Sequence, residues 1–353
     1  MVRGSARSNR DASVSRWNGP AKDDYALLRS RVAALGLLDA QPRYYALVCA
    51  RTALLFVLAW GTVVALRASV ACVLAAPLLA LASVQAVLLG HDACHGAVFR
   101  RSKWDQLLGL IAINLANGGS YTWWTASHNE HHARSNERDV DPDIEYPMFA
   151  FDHEQAAKKP SFARAVLVRQ HWLAPLMFVG VAINLRVYCA VHLARGRAKP
   201  FELVAFALHW IAYVGAMFAT LGLARGALVI ALHQALFGAY LGAITVTNHW
   251  AMPMPANGSG LGFVAHQVET SRDLDGPSWV HFLWGGLDCQ IEHHLFPTMA
   301  RNRLLEARSI VRAFCGERGI THTQRSLFAC YRDIYRAMHD VAMTVRAAKE
   351  RGA

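Results

Sequence analysis

Long apolar blocks separated by short polar ones dominate the pattern of this chain. Four of them, residues 46–66, 70–90, 203–222 and 227–247, approach the roughly 20 apolar residues a helix needs to cross a bilayer core. They pair into hairpins, the first turning at Arg67-Ala68-Ser69 and the second at Ala224-Arg225. Two further stretches behave differently. Residues 107–116 are too few to cross and end in Asn117-Gly118-Gly119, whereas residues 172–193 are long enough but contain Pro175, Asn184 and Arg186. Charge inside the hydrocarbon is costly, so this second stretch is expected to lie along the membrane surface as one interfacial helix. The pattern predicts an all-α integral membrane protein with about four spans and a cytosolic helical cap.

The polar residues at the ends of these blocks are unusual in kind. Histidines recur in His91-Asp92-Ala93-Cys94-His95, His128-Asn129-Glu130-His131-His132 and Gln290-Ile291-Glu292-His293-His294. Residues three or four apart share a helix face, so each box presents its imidazoles together. Neutral imidazole is the commonest metal ligand and suits iron, zinc and copper. The candidate ligands are His91, His95, His128, His131, His132, His293 and His294, with His249 at the end of the last block as an eighth. Asn248 or Gln290 can fill a further position, directly or through water. Asp92, Glu130 and Glu292 are expected to accept the outward N–H of ligating rings. Tyr121, Trp123, Trp124, Phe282 and Trp284 flank the boxes, as linings of an apolar tunnel or as an interfacial aromatic belt. His209 and His233 are expected to be hydrogen-bonded inside the bundle. The remaining seven, His153, His171, His192, His266, His281, His322 and His339, are expected at the interface or surface.

One metal site requires every box on one side of the membrane, so an even number of crossings separates His132 from His249. The interfacial assignment of residues 172–193 meets that condition. Lys and Arg crowd both ends of the chain, while the outer turns offer only Arg67 and Arg225. The positive-inside bias then puts both termini and all boxes in the cytosol, of a bacterial inner membrane or the endoplasmic reticulum. Of the 353 residues 54% are hydrophobic and 17% charged, against about 25% charged in soluble domains. The net charge of +11 lies in the flanks of apolar segments, which suits anionic lipid or an acidic electron carrier and not nucleic acid. The seven cysteines form no CxxC pair and no disulfide-like spacing. Residues 1–22 are polar and expected to be disordered, leaving 23–353 as one domain. No Glu-x-x-His and no HExxH occurs, which sets aside the carboxylate di-iron bundles and the zinc proteases.

These boxes resemble those of the membrane fatty acid desaturase superfamily. The run Trp284-Gly-Gly-Leu-Asp-Cys-Gln-Ile-Glu-His-His-Leu-Phe-Pro-Thr-Met299 is similar to the third box of its front-end (delta-5/delta-6-like) branch, where Gln replaces the first His. His131-His132-Ala133, Asn136 and Asp141-Pro142-Asp143 are similar to that branch too, and the resemblance covers roughly residues 90–303. It implies two iron ions and O2 as cofactors. It implies an enzyme that removes two hydrogens from adjacent methylenes of a fatty acyl-CoA or acyl-lipid, leaving a cis double bond. A ligand role for His249 and a supporting role for Gln290 follow from the same resemblance. Many members of that branch carry a fused cytochrome b5 domain with a His-Pro-Gly-Gly motif. The motif does not occur here, so a separate ferredoxin-like or cytochrome b5-like carrier, with its reductase, is the expected electron donor. Similar scaffolds serve lipid hydroxylases, ketolases and alkane monooxygenases, the nearer alternative. A membrane metal transporter is the remote one, because the clusters lie at span ends and not within the spans.

Overall fold

The computed structural model describes residues 21–350. The tail expected to be disordered, 1–22, falls outside them but for its last two residues. Helix α1 (Ala21–Ala34) leads into α2 (Pro42–Ala65), which opens on Pro42, a residue suited to a first helical turn. Ser69 then caps a 3-10 turn by accepting the Ala71 N–H, and α3 (Ala75–Cys94) follows. These two helices differ in what they bury. Leu47, Leu54, Val57 and Leu58 of α2 are exposed, as lipid-facing residues are. Every residue of α3 from Ala82 to Ala93 is buried, because small side chains let it sit at the centre of the bundle between α2 and the later α11.

After α4 (Ser102–Gly109) the chain makes a π turn, Leu110–Leu115, packed against α3. There Gly90 meets Ile113: a Cβ at Gly90 would lie 2.7 Å from the Ile113 side chain. Ser120 caps α5 (Tyr121–Ala133), the helix that carries the second box. The short helices α6 (His153–Lys158) and α7 (Ser161–Leu167) lead to α8 (Gln170–Val179) and α9 (Val181–Ala194). The single interfacial helix expected over 172–193 is therefore a pair, bent by 58° at Gly180. Pro175 weakens the helix before the bend. Gly238 lets the Val179 carbonyl approach more closely than any side chain would permit.

Helices α10 (Pro200–Leu221) and α11 (Leu223–His249) form the second hairpin. Among the described residues, four helical segments are long and apolar enough to cross a membrane: Pro42–Ala65, Val70–Cys94, Pro200–Leu221 and Leu223–His249. They extend beyond the predicted blocks at the ends that carry His91 and His249. The bent pair makes a fifth if it is one broken span.

The connector expected over 251–278 contains a helix the sequence pattern did not suggest, α12 (Phe263–Glu269), followed by strand β1 (Asp273–Asp275). Then come α13 (Ser278–Trp284), the third-box helix α14 (Gln290–Leu295) and α15 (Arg301–Arg318). Strand β2 (Gln324–Ser326) pairs in parallel with β1, Asp273 opposite Gln324. The last helix, α16 (Leu327–Glu350), buries Cys330, Ile334, Met338, Val341 and Val345 along one stripe, a 3.6-residue period that packs it on α8 and α11. A separate core joins Leu28 and Val32 of α1 to Val264, Leu304, Val311 and Phe314. This layer closes over the ends of α3 and α11.

Candidate metal centre

Four helices deliver imidazoles to one place. His91 lies in the last turn of α3 and His95 is its C-cap residue, while His249 is the last residue of α11. His128, His131 and His132 share a face of α5, and His293 and His294 lie on α14. All eight come together as two sets of nitrogens: His91, His95, His128, His132 and His293 in one, His131, His249 and His294 in the other. Within each set the donor atoms lie within 4.8 Å of one another.

The contacts inside the larger set do not work as hydrogen bonds. His128 Nε2 lies 3.0 Å from His95 Nε2 and 3.1 Å from His132 Nε2, and His293 Nε2 lies 3.1 Å from His132 Nε2. One ring nitrogen has either one hydrogen or one lone pair, so His128 and His132 cannot satisfy two such neighbours each. A cation shared by the lone pairs can. Two nitrogens at right angles on a metal about 2.1 Å away are about 3.0 Å apart, the spacing seen here. His91 Nε2 and His294 Nε2 are buried without any hydrogen-bond partner, as unpaired donors awaiting a metal would be. Burial, then neighbouring histidines, hold His95, His128, His132, His293 and His294 well below the usual imidazole range. Neutral rings are what ligation requires.

In the smaller set the outward nitrogens are tied back. His131 Nδ1 donates to Asp141 at 2.9 Å, His249 Nδ1 to the Thr270 carbonyl at 3.0 Å, and His294 Nδ1 to Gln267 Oε1 at 2.7 Å. Each bond fixes the tautomer that leaves Nε2 free toward the cluster. Burial opposes the charged form of His131, but Asp141 and Asp143 outweigh it and lift His131 to about 9, so a metal ion at its Nε2 has to displace a proton.

Of the expected supporting residues, Gln290 reaches the cluster, its Nε2 lying 3.0 Å from His249 Nε2. Asn248 instead accepts a hydrogen bond from Thr247. Asp92 touches His91 Nδ1 only at 3.4 Å and spends its other oxygen on Arg301, 2.6 Å away. Glu292 contacts Arg308 and His322 and no imidazole of the clusters, and Glu130 is exposed. Among the aromatics, Trp124 stacks on His128 with ring centroids 4.6 Å apart. Trp123 stacks on Tyr188, Phe282 lies under the Arg51 guanidinium, Trp284 donates to Thr247, and Tyr121 is buried against Gly109.

The residues that anchor the rings include Gln267, which sequence reasoning did not single out, and Asn136 and Asp141, which it quoted as part of the family pattern without a role. Gln267 of α12 binds His294 and also donates to the His132 carbonyl at 2.8 Å, joining the second box to the third. Asp141 is fully buried and accepts the Asn136 N–H at 2.6 Å. Asn136, at φ +59°, donates to the His249 carbonyl at 3.2 Å. His266, expected at the surface, donates to the Ser135 carbonyl.

The fold and the two clusters define a membrane helical bundle with a histidine-rich centre able to hold metal. The sequence profile of the family described as Fatty acid desaturase matches residues 67–326, and the chain belongs to that family. It is 33% identical over 264 residues to a Delta 8-(E)-sphingolipid desaturase of Lachancea kluyveri, covering 68% of this chain and 46% of that protein. It is 27% identical to a Delta(8)-fatty-acid desaturase of Euglena gracilis over 86% of this chain and 74% of that one. Fatty acid desaturase 3 of Bos taurus is 26% identical over 90% of this chain and 72% of its own. The chain spans about half the length of the Lachancea relative, and 53% of a second Delta 8-(E)-sphingolipid desaturase, from Emericella nidulans.

Proposed function

We propose that the chain is the catalytic part of a front-end lipid desaturase with two iron ions, one in each imidazole cluster. It introduces a double bond into an acyl or sphingoid chain: R–CH2–CH2–R′ + O2 + 2 e− + 2 H+ gives R–CH=CH–R′ + 2 H2O. Iron bound at the clusters supplies reductive activation of O2. The observation that carries the reading is the set of Nε2–Nε2 contacts at 3.0–3.1 Å, which no arrangement of imidazole protons satisfies. The family membership selects iron over the other metals that imidazole suits.

The protein's own part is orientation. Asp141, Thr270 and Gln267 hold three ligand rings by their far nitrogens, and Trp124 packs against His128. Gln290 is the further donor to the three-histidine cluster. Turning its amide end for end, a change that costs no carbon position, aims Oε1 where Nε2 now meets His249. That oxygen is buried and has no partner. The aromatic residues around the boxes hold the lipid chain so that one pair of C–H bonds faces the irons. Both termini lie in the cytosol by the positive-inside bias. An acidic ferredoxin-like or cytochrome b5-like electron carrier, with its reductase, docks on the arginine-rich cytosolic face.

The test is expression in a host with a compatible electron donor, feeding saturated and unsaturated acyl and sphingoid lipids, and mapping products by mass spectrometry beside His132→Ala. A new double bond absent from the control is expected. A hydroxylated or keto product would replace this reading with an oxygen-inserting one.

A further inference from the structure

Helix α14 is only six residues long, far below the about 12–15 residues at which an isolated helix becomes stable. Its N-cap residue, Cys289, gives it no side-chain hydrogen bond. A buried group of charges that makes no hydrogen bond or ion pair with the eight imidazoles holds it instead. Asp273, in β1, accepts the Ile291 N–H through Oδ1 at 3.0 Å and so caps α14 from a distant part of the chain. Its Oδ2 lies 3.1 Å from Arg308 Nε and 3.4 Å from His322 Nε2. Glu292 lies against the same two cations, 3.9 Å from Arg308 and 3.7 Å from His322.

Arg308 reaches further than the carboxylates. Its Nη1 donates to the Leu274 carbonyl at 3.2 Å, and its Nη2 donates to the Asp288 carbonyl at 2.7 Å and to Cys289 Sγ at 3.0 Å. One guanidinium thereby grips β1 and the two residues that lead into α14. Asp273 and Glu292 are both 0% exposed, and Arg308 and His322 beside them offset part of the cost of that burial. Asp273, Glu292 and His322 also have the donor types of a metal site, but the guanidinium already holds the cation's place.

We propose that Arg308 is a positioning residue that, with Asp273, Glu292 and His322, fixes α14 so that His293 and His294 deliver their nitrogens to two different clusters. Neighbours on a helix point about 100° apart, so a small rotation of α14 withdraws one ring while misdirecting the other. Displacing this one short helix disturbs both metal positions at once. The inference rests on the reading of the clusters as metal sites.

The experiment compares the full chain in detergent as wild type, Arg308→Lys, Arg308→Met and Arg312→Met, the last an exposed arginine one turn along α15. Two quantities are read: iron bound per chain at a series of free Fe2+ concentrations, and hydrogen exchange of peptides covering residues 288–296 and the spans. Arg308→Met is expected to weaken iron binding about 10- to 100-fold, as loss of an outer support does, with faster exchange confined to 288–296. Arg308→Lys recovers part of both, since it can meet Asp273 but not Leu274, Asp288 and Cys289 together. Arg312→Met behaves as wild type. Unchanged exchange at 288–296 in Arg308→Met overturns the proposal, as does acceleration throughout the spans. A wild type that takes up no iron overturns the metal reading, while the exchange comparison still decides the positioning role.

Discussion

The imidazoles of this centre stand on two kinds of support. His91 and His249 end helices of 20 and 27 residues, whose length and burial on other spans fix their direction. His293 and His294 ride on six residues that have almost no helical stability of their own. Around the long helices apolar packing sets the geometry, and the glycines at 90 and 238 let neighbours close in. Around the short one, charge sets it: Asp273, Glu292, Arg308 and His322 on one side, and beyond its C-terminus the Asp92–Arg301 pair. A bundle of spans can supply only helix ends to the face where the clusters lie. The remaining ligands ride on shorter helices between the spans, α5 and α14, which need directional bonds to reach comparable precision.

The sharpest way to test that division is to remove one ligand from each support. His249→Ala and His294→Ala both take a nitrogen from the three-histidine cluster, so both are expected to abolish desaturation with the protein still inserted in the membrane. Full turnover in either variant would break the metal assignment. The next largest effect concerns Arg301, which is buried, lies 2.6 Å from Asp92 and donates to the Leu88 carbonyl at 2.9 Å. It ties the start of α15 to α3. Arg301→Met leaves a buried carboxylate unpaired and is expected to cost about 3–5 kcal/mol of stability. The double variant Asp92→Asn with Arg301→Met should regain much of that loss. Unfolding in detergent followed by circular dichroism measures both, and a double variant no better than the single one would show that the pair does not act through charge.

Smaller losses are expected at the anchors of single rings. Asp141→Asn still accepts from His131 Nδ1 but weakens the carboxylate's support, so iron affinity should fall about 10- to 100-fold. That loss should appear in one of two binding steps in a titration followed by metal analysis, because His131 serves one cluster only. Equal loss from both steps would mean that Asp141 acts on the whole fold. Gln290→Ala should be milder again, since a neutral amide is a weak donor. Complete loss of iron in that variant would make it indispensable to the geometry.

The boxes themselves were legible in the sequence because histidines at spacings of three and four declare a helix face without any knowledge of the fold. The spans were legible for a similar reason: their signal lies within each segment. What holds the rings was not. Gln267, Thr270 and Asp141 reach their histidines from segments 10 to 27 residues away, and α12 is seven residues long beside a Gly/Pro-rich stretch. Adjacency also misled the assignment of carboxylates. Glu292 stands next to His293 in sequence, but adjacent residues leave a helix about 100° apart, which turns it toward Arg308, whereas Asp92 reaches His91 Nδ1 at 3.4 Å and gives its other oxygen to Arg301. The bend at Gly180 depends on the backbone approach that Gly238 allows, a contact between segments that no single stretch reveals.

The smallest expected effect sharpens the comparison by acting on charge alone. Burial works against a charged His322, but Asp273 and Glu292 outweigh it and lift it to about 9, above the ordinary 6.5. A pKa raised on folding means that the contribution is fully present below about 6.5 and is lost as pH rises through about 9. The groups that face this ring are Asp273 from β1, Glu292 from α14 and Arg308 from α15, while Glu269 of α12 binds the preceding Thr321 N–H. Burial and then the neighbouring Asp273 lift Glu292 to about 8, so raising the pH ionises Glu292 while His322 loses its proton, and Arg308 is left facing two buried carboxylates. Hydrogen exchange at 288–296, corrected for its intrinsic dependence on pH, should therefore accelerate between pH 7 and 10. Exchange in the middle of α3, held by apolar packing, should not. His322→Gln should already be fast at pH 7 and change less with pH. If that variant keeps the wild-type pH dependence at 288–296, the proton on His322 is not what steadies the short helix, and the contrast between charge-held and packing-held ligands reduces to a difference in helix length.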